Sequence, residues 1–336
     1  MSWLITGGCG FIGRNLIDRL KAEGTLSGVR VVDNLSTGLR AELEAICPVI
    51  LLDAETLVPV EPVPAEPHVQ LVVGDIRDSQ LAMRVAQGFK VVVHLAANTG
   101  VAPSVAEPML DCTTNVLGTL NYLEAARHGG ASRFVFASSG APVGECVPPL
   151  HEELPAHPVS PYGASKLAGE AYCSAYKRTF GLDTVCLRFS NVYGPLSGHK
   201  SSVVAKFIRE GLEGRAWHIF GDGNQTRDFI HIHDLIEAIC LAASRPNVGG
   251  EVFQIASNVE TTVGELAVRL RGVLERFGVK ACEIVHEDLR PGDVTRNFAD
   301  TSKARRVLGW NCTVGLDTGL EMTVRWFLDQ KAAGRT

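Results

Sequence analysis

The sequence predicts an α/β fold, a doubly wound parallel sheet followed by a smaller mixed α/β region, and three observations carry that prediction. Short apolar runs of strand length recur at 3–6 (WLIT), 29–32 (VRVV), 69–73 (VQLVV), 91–97 (VVVHLAA) and 133–139 (RFVFASS). Segments with helical periodicity lie between them, at 14–24, 79–87 and 112–128. The first run also ends in a glycine turn that opens directly into a helix. A chain of 336 residues, 46% of them hydrophobic, is long enough to bury such cores as one large or two modest domains.

Taken in order, the first strand leads into Gly7-Gly8-Cys9-Gly10-Phe11-Ile12-Gly13. A strand, a glycine turn and a helix place backbone N–H groups at a positive helix end, where a pyrophosphate can sit. The second strand ends in Asp33, twenty residues after Gly13, where a carboxylate can accept hydrogen bonds from an adenosine ribose. A carboxylate there repels a 2′-phosphate, which favours NAD over NADP. Asp75, the Leu95-Ala96-Ala97 turn and Ser138-Ser139 fall at the carboxyl ends of later strands, where ligands bind on such sheets. The stretch 48–67 holds five prolines and four acids, so it is expected to be an exposed connection rather than a core element. At 160–166 (SPYGASK), Ser160 and Pro161 suit a helix start, and Tyr162 and Lys166 then share one helix face.

Composition excludes other classes. The net charge is −5 and no Lys/Arg run exceeds two residues, so no nucleic-acid or polybasic membrane surface is expected. Nine scattered cysteines without a C-x-x-C pair are expected to be reduced thiols. With no signal-like N-terminus and no apolar stretch near the ~20 residues of a membrane span, a cytoplasmic location is expected. His231 and His233 alternate on what reads as an extended segment, so they should point to opposite faces and act structurally; no metal is expected.

The motifs TGGCGFIG, VVDNLSTG, GDIRD, HLAA, Ser138-Ser139, Tyr162-x-x-x-Lys166, RFSNVYGP, GDGNQTRDFIHIHD and RPGD together resemble those of the extended short-chain dehydrogenase/reductases, specifically the nucleotide-sugar epimerases and dehydratases. The resemblance runs from about residue 2 to 328. It implies a Rossmann NAD domain over 1–188 that includes the Tyr162/Lys166 helix, and a nucleotide-sugar region over 189–336, with the chain free to cross back. The cofactor set it implies is Gly7, Gly10, Phe11, Ile12, Gly13, Asp33, Asn34, Ser36, Gly38, Asp75, Ile76, Leu95, Ala96, Ala97, Tyr162 and Lys166.

An unperturbed phenol has a pKa near ~10, and a neighbouring ammonium and a positive nicotinamide would favour its phenolate. The resemblance implies that Tyr162 takes the proton of a sugar hydroxyl as hydride leaves the same carbon, that Lys166 also holds the nicotinamide ribose, and that Ser139 helps to pass the proton. Around Ser139 the chain reads SSGAPVG, with Pro142 unusual and Val143 in place of the common tyrosine. The 4,6-dehydratases carry Asp-Glu directly after this Ser/Thr, whereas here Gly140-Ala141 follows and Glu145 is the nearest acid. That departure predicts an NAD-dependent UDP-hexose 4-epimerase.

For the sugar nucleotide, the resemblance implies Asn191, Arg227, Arg290 and Asp293 around the phosphates and ribose, Val204 on the substrate wall, and Trp217–Gly223 as the strand and turn under the base. Two arginines suit two phosphates. Asn297, seven residues after Arg290, is expected beside the C2 substituent, admitting N-acetyl sugars as well as plain hexoses. A UDP-glucuronate 4-epimerase, with His199 or Lys200 meeting the carboxylate, is an alternative. Another is a non-catalytic NAD-binding sensor or scaffold, against which the intact Tyr162, Lys166 and Ser139 argue. A homodimer through the helices 112–128 and 162–178 is expected.

Overall fold

The computed structural model describes residues 1–57, 67–280, 282–288 and 295–334. Its first half alternates strands and helices: β1 (Trp3–Thr6), α1 (Phe11–Ala22), β2 (Val29–Asp33), α2 (Arg40–Glu44), β3 (Val49–Leu52), β4 (Val69–Val73), α3 (Ser79–Val85) and β5 (Val91–His94). Then come α4 (Val101–Ala106), α5 (Pro108–Cys112), a π turn (Thr113–Leu117), α6 (Gly118–His128), β6 (Arg133–Ser139), α7 (Pro161–Phe180) and β7 (Asp183–Phe189). The second half holds β8 (Asn191–Tyr193), α8 (Val203–Leu212), β9 (Trp217–Phe220), β10 (Thr226–Arg227), β11 (Phe229–His231), α9 (Ile232–Ser244) and β12 (Glu251–Ile255). It closes with β13 (Thr261–Thr262), α10 (Val263–Arg276), β14 (Ile284–Glu287) and α11 (Leu316–Ala332).

Eight strands form one sheet in the order β12-β7-β6-β5-β1-β2-β4-β3, and every pairing in it is parallel. β1, β2 and β5 are buried along their whole length because helices cover both faces of the sheet, which is why they read as unbroken apolar runs. From β1 the chain winds one way through β2 and β4, then returns to β5 and winds the other way. The direction therefore switches between β1 and β5, and a crevice opens there at the strands' carboxyl ends.

Two expectations about elements are corrected. Val49–Leu52 is the edge strand β3, paired in register with β4, although Ile50 and Leu51 stay about half exposed. The proline count of 48–67 obscured this four-residue aliphatic run, since an edge strand needs a partner on only one side. Residues 58–66 of that segment lie outside the described residues. The helix expected over 112–128 starts earlier, at Pro108, and passes through the π turn before continuing as α6.

After Phe189 the chain builds three two-stranded pairs, β8 with β11, β9 with β14 and β10 with β13. Around them α8, α10 and α11 enclose a separate core in which Phe207 stacks on Trp217 at 4.9 Å. It also returns to the large sheet, where α9 packs against α1 and β12 adds a strand beside β7. His231 ends β11 and its Nδ1 accepts the His233 N–H, so His233 already sits in the first turn of α9. The two histidines thus belong to different elements, not to one extended segment. All nine cysteines are free. Among the described residues no helix is long and apolar enough to cross a membrane.

Candidate active site

The crevice is a cavity of about 830 Å³. At its glycine end Gly7 adopts φ +71°, and a Cβ there would sit 2.8 Å from the Ala96 backbone nitrogen, so the turn after β1 can pass the end of β5 only as glycine. Asp33 fastens this turn from β2: its Oδ2 accepts the Cys9 N–H at 2.9 Å and its Oδ1 accepts the Leu35 N–H at 2.8 Å. Burial raises the Asp33 carboxyl while those two N–H donors oppose the rise. Asp75 receives a two-pronged contact from Arg77, at 2.9 and 2.8 Å, which brings it down to about 2.

At the other functional end, Ser160 Oγ accepts the Gly163 N–H at 3.1 Å and Pro161 occupies the first helical position, which starts α7 so that Tyr162 and Lys166 stack one turn apart. Ser139, the last residue of β6, accepts the Ala141 N–H at 3.2 Å and neighbours the Tyr162 phenol, whose ionised form its hydroxyl favours. Lys166 Nζ donates to the Ala137 carbonyl at 2.9 Å and stands 5.9 Å from the centre of the Tyr162 ring. Burial pushes Tyr162 up to about 12 against the Ser139 hydroxyl, with Asp111 adding to the rise. Lys166 is pulled down to about 8 by burial, with Asp111 and Glu170 opposing. The expected easing of Tyr162 ionisation is therefore outweighed, among the protein's own groups, by desolvation.

A buried scaffold holds this end. One turn past Lys166, Glu170 takes Arg188 of β7 in a bidentate pair at 2.8 and 2.7 Å and accepts Ser138 Oγ at 2.6 Å. In the π turn, Asn115 clamps the Asn98 backbone through its N–H at 2.7 Å and its carbonyl at 2.9 Å, and reaches Ser165 Oγ at 3.1 Å. From the π turn Asn115 thus joins α7 to the segment after β5.

Every residue of the expected cofactor set lines the cavity, together with Ser139. The expected substrate set is scattered. Asn191 is exposed on β8 and donates to the Asp228 carbonyl at 3.2 Å, Arg227 lies on β10, and the Asn297 N–H bonds Thr226 Oγ1 at 3.3 Å; none of the three is on the cavity wall. Val204, expected on the substrate wall, is 1% exposed and packs inside the core around Trp217, because it faces inward on the amphipathic α8. Arg290 and Asp293 lie outside the described residues. The cavity adds residues that sequence reasoning passed over, among them Asn98, Phe189 and Ser190. Asn98 directly follows the HLAA turn and the other two lie in RFSN, so their signal was position at a strand end.

The sequence profile of the NAD dependent epimerase/dehydratase family matches residues 3–256. The chain belongs to this family. It is 38% identical to a UDP-glucose 4-epimerase of Mycolicibacterium smegmatis over 333 residues, covering 97% of this chain and 98% of that one. Among solved structures, a Thermotoga maritima UDP-glucose 4-epimerase with UDP-glucose superposes with a TM-score of 0.85 at 35% identity, covering 98% of this chain and 100% of that one. A dTDP-glucose 4,6-dehydratase of Streptomyces venezuelae with NAD bound also gives 0.85, at 31% identity and 99% and 98% coverage. The chain is thus an enzyme of the NAD-dependent nucleotide-sugar epimerase and dehydratase kind. Its own geometry suits NAD: a glycine turn without side chains, a fixed Asp33 at the end of β2, and Tyr162 with Lys166 share one cavity.

Proposed function

We propose that the enzyme is a UDP-hexose 4-epimerase that interconverts UDP-glucose and UDP-galactose and also accepts the N-acetyl forms. The observation that carries the choice over a dehydratase is the placement of acids. Elimination of water across C5 and C6 needs an acid and a base besides the tyrosine. Among the described residues the acids on the cavity wall are Asp33, Glu42 and Asp75, on β2, α2 and the end of β4, while Gly140 and Ala141 follow Ser139. Glu145 is exposed and off the wall, and Glu170 is committed to Arg188 and Ser138.

NAD in this cavity supplies a reversible hydride acceptor for C4 of the sugar. Tyr162, with Ser139 beside its phenol, takes the proton from the C4 hydroxyl and later returns it. Lys166, pulled to about 8, is mostly protonated at neutral pH and keeps positive charge beside the reacting oxygen. Acceptance of the N-acetyl forms rests on the sequence position of Asn297 after Arg290, whose amide could donate to and accept from an acetamido group, although Asn297 lies off the wall of this cavity.

Incubation with UDP-glucose and, separately, UDP-N-acetylglucosamine, followed by proton NMR, tests the reading. Appearance of the two galacto products is expected; a 4-keto-6-deoxy product would replace the epimerase reading with a dehydratase. We also propose a symmetric homodimer through the expected segments 112–128 and 162–178, with α4 and α5 beside them. Val105, Met109, Leu117 and Tyr172 support it, since they are exposed by 40–73% on these mutually packed helices. A monomeric mass by light scattering would count against it.

A further inference from the structure

The cavity wall at the glycine turn carries a cation that the mechanism above does not use. Lys200 lies in the loop between β8 and α8, with its Nζ 4.7 Å from the centre of the Phe11 ring and donating to the Val192 carbonyl at 2.8 Å. Phe11 is the first residue of α1, so the ammonium lies over a side chain carried by the amino end of that helix, whose first backbone N–H groups lack intrahelical acceptors. The loop is fastened over α1: Arg14 donates to the Leu196 carbonyl at 2.8 Å and Asn15 to the Pro195 carbonyl at 3.2 Å.

The other charged groups along this wall have partners. Arg14 pairs with Glu42 at 2.9 Å, His199 lies 3.5 Å from the same carboxylate, Arg77 holds Asp75, and Lys166 is bound at Ala137. Among the described residues no carboxylate forms an ion pair with Lys200, and burial alone pulls its ammonium down to about 8. A desolvated ammonium without a counter-anion is costly, and a ligand that brings the anion recovers that cost.

We propose that Lys200 is a diphosphate-binding residue, and that the diphosphate it serves is the pyrophosphate of the dinucleotide cofactor. The proposal rests on reading this cavity as the dinucleotide site. Two ligands of this enzyme class contain a diphosphate, the cofactor and the sugar nucleotide. The cofactor is favoured because the ammonium lies over Phe11, beside the glycine turn. One ammonium can then lock a loop of the C-terminal region onto the cofactor, so that cofactor binding orders the chain on which α8 begins.

The test compares the parent with Lys200→Gln, which keeps a neutral side-chain donor but removes the charge, and Lys200→Arg, which keeps the charge. Calorimetry with NAD, ADP, adenosine and UDP at two salt concentrations, and the NAD content of the purified proteins, give readouts independent of turnover. Loss of a charge-assisted contact is expected to weaken NAD and ADP about 10-fold in Lys200→Gln and to flatten their salt dependence, with adenosine unchanged and Lys200→Arg within about 3-fold of the parent. Weakening of UDP with NAD and ADP intact would overturn the assignment in favour of the substrate's diphosphate. Unchanged affinity for all four ligands would reduce Lys200 to a structural donor. If the parent itself binds neither NAD nor ADP, the dinucleotide reading of the cavity fails, and this proposal fails with it.

Discussion

The two ends of the molecule hold their ligand-facing groups by different means. The dinucleotide end is built from consecutive strand-turn-helix units, and each supplies its residues within a few positions of a strand end: Gly7 to Gly13 after β1, Asp33 closing β2, Asp75 after β4 and Ala96 after β5. The region after Phe189 is assembled from short pairs distant in sequence, and the buried Asp228 joins the start of β8 to the loop between β12 and β13. Asp228 accepts Ser257 N–H at 2.7 Å, Ser257 Oγ at 2.6 Å and Asn258 N–H at 3.0 Å. Its own carbonyl takes Ser190 Oγ at 2.8 Å and the Asn191 N–H at 3.0 Å. Regular topology positions the first end, whereas in the second a polar hub joins loops beside the separate core of α8, α10 and α11.

The sharpest way to break that comparison is to remove the hub. Asp228→Ala leaves buried donors of Ser257 and Asn258 without their acceptor and is expected to cost about 3 kcal/mol by urea unfolding. It should also raise KM for the sugar nucleotide while leaving bound NAD unchanged. Equal losses of NAD and sugar affinity would mean the two ends are not independently built.

Tyr162→Phe probes the opposite end. Removal of a positioned proton-transfer group is expected to lower kcat at least ~10²-fold, about 2.7 kcal/mol, with NAD content and stability near those of the parent. A variant that turns over normally would remove Tyr162 from the mechanism.

Acid should weaken the sheet through His94, which lies between Thr6 Oγ1 at 2.9 Å and Thr119 Oγ1 at 3.2 Å. Burial, aided by Lys166, lowers it to about 3. Its unfolded value is near ~6.5, so between these values the unfolded chain binds a proton that the native chain does not, and stability falls as pH drops through about 6.5. The contribution reaches about 2 kcal/mol between pH 7 and 5. A His94→Gln variant whose stability declines as steeply as the parent's over that interval would contradict it. His231, lowered by burial to about 4, acts in the same direction in the second half.

Legibility in the sequence follows the same division. The sheet, the glycine turn, Asp33 and the Tyr162–Lys166 face could be read directly, because each depends on local spacing: period, turn chemistry and one helix turn. β3 was obscured by the prolines that follow it. Val204 was expected on the substrate wall, yet it falls on the apolar face of α8 with Phe207 and Ile208 and packs into the core around Trp217, as the helical spacing of these residues already marks. Asn115 escaped, and Lys200 was read only as a partner for a sugar carboxylate, for a related reason. One reaches the site through a π turn, and the other through a loop pinned to α1 from 180 residues away in the chain.

The central claim is that Tyr162, Ser139 and Lys166 manage a proton while hydride leaves and returns to one carbon, with no acid–base pair for elimination beside them. Conversion of UDP-glucose in D₂O, read by NMR, tests it most directly. UDP-galactose with protium at both C4 and C5 is expected, since the hydride returns internally and the C5 proton is never released. Deuterium at C5, or a 4-keto-6-deoxy product, would contradict it.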